Sequence, residues 1–174
     1  MPARQLTAGR TLAVLLGVAA AACDNPNPGA PLGTFAVTSA LGTDTCGGTA
    51  ADTSPGSFNV TLSNDQGVVY WFPDTGGSAT RGSINAARSV TITEVVADNV
   101  DATDAGAGPC TLQRNDTLTF TLAAGGAPAS FTGSYSFTVT PAIGAACSDQ
   151  LVAHGGGYAA LPCTITYTLA GTRQ

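Results

Sequence analysis

Hydroxyl and apolar side chains alternate without a break in "TLTFTLA". Leu118, Phe120 and Leu122 fall on one face, and Thr117, Thr119 and Thr121 on the other. The pattern returns in "YSFTVT", where Tyr135, Phe137 and Val139 oppose Ser136, Thr138 and Thr140. It returns again in "CTITYTLAG", with Ile165, Tyr167 and Leu169 against Thr164, Thr166 and Thr168, and in "FNVTLS", with Phe58, Val60 and Leu62 on one side. A period of two means a strand with one buried and one wetted face. Threonine suits the wetted face, because its branched carbon packs on the sheet and its hydroxyl reaches water.

Further strands are predicted in "GTFAVTSAL", with Phe35 and Val37 inward, and in "GSINA" and "SVTITEVV", joined at Ala86 to Arg88. "GVVYWF" is apolar on both faces, which places Trp71 under a loop or over the end of a barrel. Turn chemistry separates these runs at "SNDQG", "PDTGG" and "AAGGAPA". The nearest approach to a helix is "SDQLVAH", Ser148 to His154, a two-turn candidate ended by Gly155. The expectation is an all-β chain: one small antiparallel β-barrel of about eight strands, with a two-sheet β-sandwich as the alternative. Successive hairpins favour the barrel.

The first residues follow a different pattern. Arg4 and Arg10 precede an apolar run from Leu12 to Ala22, too short for a bilayer span of about 20 residues. A basic start, a short apolar core and small residues at its end predict an export signal over 1–22. "AAAC", Ala20 to Cys23, resembles the lipobox of bacterial lipoproteins, whose cysteine receives diacylglycerol before the signal is removed. That resemblance implies a lipidated Cys23, a proline-rich tether over 23–32 and a β domain over 33–174. Asp24 resembles an inner-membrane retention signal; inner and outer membrane remain open alternatives for the anchor.

Cysteine number agrees with this. The chain has five cysteines, and an odd count in an exported chain leaves one to explain. Lipid on Cys23 leaves Cys46, Cys110, Cys147 and Cys163 for two disulfides, in any of three pairings. The expected pairs are Cys147 with Cys163, closing about 17 residues for ~3 kcal/mol, and Cys46 with Cys110. No close Cys-x2-Cys pair is present, so no metal site of that kind is expected.

Charge removes further classes. The chain carries eleven acids, six arginines and no lysine, and two of the arginines lie before Cys23. No basic cluster exists to grip a nucleic-acid backbone or anionic lipid headgroups, so contact with a membrane would come through the anchor. His154, the single histidine, lies near Ser148 in sequence, but no Gly-x-Ser-x-Gly elbow frames a serine. Most acids fall in turns. Glu94 is the exception: it follows Ile92 on the inward face, or marks where the strand leaves the core. The run "DNVDATDAG", Asp98 to Gly106, has acids at every third position rather than the alternate spacing of an EF-hand loop, and reads as a solvated turn before a calcium site. The opening "GTFAV" resembles the Gly-x-aromatic start of lipocalin-like barrels through Gly33 and Phe35, which implies Arg173 as the partner arginine. No cofactor, metal or catalytic residue is expected. The expected role is an anchored envelope protein that binds a small ligand or an envelope protein, or has a structural role, with a secreted hydrolase or enzyme inhibitor as the competitor.

Overall fold

The computed structural model describes residues 28–51, 56–76, 78–100 and 110–174, with backbone only for 98–100. Eight strands follow one another: β1 (Ala30–Asp44), β2 (Gly56–Asp65), β3 (Val68–Pro73), β4 (Thr80–Ile84), β5 (Ser89–Val100), β6 (Cys110–Leu122), β7 (Ser130–Pro141) and β8 (Cys163–Arg173). Each pairs antiparallel with the next, and β8 returns to β1, so the sheet is a closed barrel in simple chain order. Closure removes every sheet edge, which a sandwich would leave open.

Alternation decides the inside. Phe35, Val37, Val60, Leu62, Val69, Trp71, Val90, Ile92, Phe120, Leu122 and Phe131 are buried in one cluster. Trp71 belongs to this core, with ring centroids 5.3 Å from Phe120 and 5.7 Å from Phe131. The outward hydroxyls pair across strands rather than only meeting water: Thr34 with Thr61, Thr119 with Ser134, and Thr138 with Thr164, at 3.0–3.1 Å.

The two ends differ. At one end β2 turns into β3 through Gln66 and Gly67, both at positive φ, a two-residue turn matched to strand twist. The 123–129 connection tucks a fully buried Pro128 under the same end. At the other end lie the connections that follow β1, β3, β5 and β7, all but the one after β3 longer than any at the first end. There β6, β7 and β8 rise past the short β3 and β4 and carry a second cluster built on Leu112, Val139, Ile165 and the four described cysteines. The "SDQLVAH" segment forms two separate 3-10 turns, Ser148–Gln150 and Val152–His154, because Leu151 between them is extended.

The disulfides require a correction. They join Cys46 to Cys163 and Cys110 to Cys147, not Cys147 to Cys163 and Cys46 to Cys110. Cys163 opens β8 beside the end of β1, where Thr45 donates its N–H to the Thr164 carbonyl. Cys46 therefore faces it across the seam that closes the barrel. The connection after β7 bonds back onto β6 through Ala142 N–H and Thr111 C=O, and this brings Cys147 over Cys110. Spacing along the chain measures loop length; strand order decides which thiols meet. In the chain-entropy picture, bonds spanning 117 and 37 positions contribute about 5 and 4 kcal/mol.

Two boundaries also move. Ala30 and Pro31 pair with Asn64 and Ser63 in β1, so the barrel begins inside the expected tether. Asp98, Asn99 and Val100 continue β5 opposite Leu112, Thr111 and Cys110, so the acidic run begins in a strand. Residues 101–106 of that run lie outside the described residues, as do Cys23 and the expected signal.

Inward positions on β7 and β8 have room for no side chain. A Cβ on Gly171 would enter the ring of Phe131, and one on Gly133 would meet Phe120 and the Thr119 carbonyl. Overpacking a filled core costs about 1–3 kcal/mol. Gly171→Ala should lower the unfolding free energy by that amount, read in urea unfolding as a lower midpoint at an unaltered denaturant slope.

Candidate functional site

β6 runs back from Leu118 through Asp116, Arg114 and Leu112 to Cys110, all on the inward face. Two of these inward residues are therefore charged. Arg114 and Asp116, two apart on one strand, form a bidentate pair: Nε to Oδ1 at 2.8 Å and Nη2 to Oδ2 at 2.7 Å. The Tyr135 hydroxyl, from β7, donates to Oδ2 of Asp116 at 2.7 Å. The Arg114 guanidinium lies 5.3 Å from the centroid of Phe137. Such forked pairing fixes the guanidinium plane and satisfies both carboxylate oxygens, as burial of a charge demands.

This polar group interrupts the packing. Between it and the aromatic core lies a cavity of about 820 Å³. Its apolar lining includes Phe58, Trp71, Ile92, Leu118 and Leu169, joined by the rings of Tyr135 and Tyr167. Its polar lining comes from Ser39, Thr80, Glu94, Arg114 and Asp116, with Thr75 and Ser78 from the β3–β4 connection. Tyr135 and Tyr167 stack at 6.5 Å. Expected as core residues, Tyr135, Phe137 and Tyr167 are half-buried; the two tyrosines face the cavity instead of a packed interior.

Glu94 stands directly opposite Asp116 in the β5–β6 register. It lines the cavity and is exposed to its solvent. Arg114 is paired with Asp116, and Glu94 faces that carboxylate across the register. Like charges directly opposite on a sheet are destabilising.

The other expected site residues lie apart. His154 and Ser148 are exposed on the loop before β8 and do not line the cavity. No group of three metal-ligating side chains occurs among the described residues. No helix there is long and apolar enough to cross a membrane. Gly33 and Phe35 sit on β1 with Arg173 opposite Phe35, and a Cβ on Gly33 would lie 2.8 Å from Arg173 Nε. Arg114, Asp116 and Tyr135 were not expected as a polar group. The signal for Arg114 and Asp116 was the alternation of "CTLQRNDTLTFTL" extended seven residues further back, to Cys110. No family model, curated protein or solved structure matches this chain.

Two tests follow from this geometry. The Tyr135 phenol is pushed upward from its ordinary value near 10, first by burial, then by its bond to Asp116 and that carboxylate's charge; Glu94 adds to this and Arg114 opposes it. The fold thus favours the protonated phenol. Its contribution is fully present below about pH 10 and is lost as the pH rises above it. The melting temperature of the wild-type chain should fall more steeply above pH 10 than that of Tyr135→Phe. Glu94→Gln, which removes the opposed charge, should stabilise the empty protein by about 0.2–1 kcal/mol in chemical denaturation.

Proposed function

We propose that this chain is a lipid-anchored binding protein of a bacterial envelope that holds one small, largely apolar ligand in the barrel. The cavity carries the reading. A volume of about 820 Å³ lies within the roughly 300–1,000 Å³ of small-molecule sites. Its wall has the composition of such sites: mostly aromatic and aliphatic surface, with a few convergent polar groups. The fold supports the reading because the cavity belongs to a barrel cross-tied by two disulfides, a wall that stays in place when empty.

Paired-acid hydrolysis is less well supported. Such chemistry uses two carboxylates working on opposite sides of a bond. Asp116 has both oxygens engaged, and Glu94 lies on the adjacent strand of the same wall. The anchor rests on the export-signal pattern and the odd cysteine.

Binding is tested with N-phenyl-1-naphthylamine, a neutral apolar fluorophore. Its emission should rise and saturate at one probe per chain. Thr80→Trp, which projects an indole into the cavity, should weaken it by about tenfold or more. An unchanged Thr80→Trp titration would place the probe elsewhere and end the cavity reading. For the anchor, the intact mass of membrane-extracted chain should show a diacylglyceryl addition on the peptide beginning at Cys23, and Cys23→Ala should release a soluble exported protein. An unmodified Cys23 would defeat it.

A further inference from the structure

Resting on the binding reading, we propose that the ligand is an organic cation, an ammonium group carried on a hydrophobic body, with its charge placed between Glu94 and the aromatic wall of the cavity.

Three observations lead there. The first is the charge balance. Of the three charged groups lining the cavity, Arg114 and Asp116 cancel in a bidentate pair, and Glu94 remains. The cavity lining is therefore net negative, and its open charge is the carboxylate that stands opposite Asp116 in register. An incoming cation would neutralise this open carboxylate, and an anion would be repelled by it.

The second is the wall itself. Phe58, Trp71, Tyr135 and Tyr167 all line the same space. Aromatic faces attract cations, and a quaternary ammonium has no N–H to lose when it leaves water. Phe58 and Trp71 meet edge to face at 6.3 Å, while Tyr135 and Tyr167 stack on the strands opposite, so rings bound the cavity on two sides. This interior already holds one cation on a ring, Arg114 over Phe137.

The third is proximity. The Glu94 charge is felt at the Tyr135 hydroxyl, where it adds to the upward push on the phenol. The carboxylate and the tyrosine side of the wall therefore act on the same volume. The Tyr135 hydroxyl is committed to Asp116, which leaves its ring as the surface it offers a ligand.

The test is competition against bound N-phenyl-1-naphthylamine with three compounds of one size: phenyltrimethylammonium, its neutral isostere tert-butylbenzene, and the anion benzenesulfonate. The cation should displace the probe about tenfold better than the neutral isostere, and the anion should be the weakest. In Glu94→Gln, the cation-to-neutral ratio should fall toward one. Equal displacement by cation and neutral isostere in the wild-type chain, or a preference for benzenesulfonate, overturns the proposal. So does a ratio that survives Glu94→Gln. If the fluorophore itself does not bind, the cavity reading has failed instead, and the two failures are told apart by the first titration.

Discussion

An eight-stranded barrel must fill its own axis, and here four rings do so over one half of the length. Phe35, Trp71, Phe120 and Phe131 meet at centroid distances of 5.1–5.7 Å, tilted or edge to face, the arrangement that aromatic quadrupoles favour. Everything else in the barrel is placed relative to this knot. Gly133 and Gly171 have no side chain because Phe120 and Phe131 occupy that space. Pro128, in the 123–129 connection at one end of the barrel, is fully buried. The cavity begins where Trp71 presents its remaining surface.

Beyond the knot the interior becomes polar, and the strands change character accordingly. Arg114, Asp116 and Tyr135 form a closed hydrogen-bonded unit, so charge enters the barrel without leaving its partners unsatisfied. Above this unit the Cys46–Cys163 bond fastens the β1–β8 seam, and the Cys110–Cys147 bond fastens the returning loop to β6. The cavity is the interval between two regions that are each fixed on their own. A wall held in this way would keep the ordering cost of the proposed binding small.

The strand pattern was legible because alternation is a local property. Threonine at every second position names the face of β6, β7 and β8 without any knowledge of their neighbours. Strand order was legible for a similar reason, since short connections force neighbours in sequence to be neighbours in space. The disulfide pairing was not. Cys163 is close to Cys147 in sequence, but its actual partner is reached only across the β1–β8 seam, and closure of that seam is a property of the whole sheet. Asp116 was hidden by composition: an acid next to Asn115 reads as a turn, although its place in the β6 alternation points inward. Glu94 was singled out for its position after Ile92, but its meaning depends on Asp116 being opposite.

Strand β1 enters the barrel at Ala30 beside the tight turns and the buried Pro128, and it ends at Asp44 among the longer connections. The polarity of that one strand sets an orientation for the molecule. With the lipid proposed at Cys23, only six residues, 24 to 29, lie between the anchor and the barrel, a reach of about 25 Å at full stretch. The sealed end would then face the bilayer and the mouth would look away from it, like a cup standing on its base. Such a geometry loads from the aqueous side, so its ligand would be one that travels through water rather than one drawn out of the lipid.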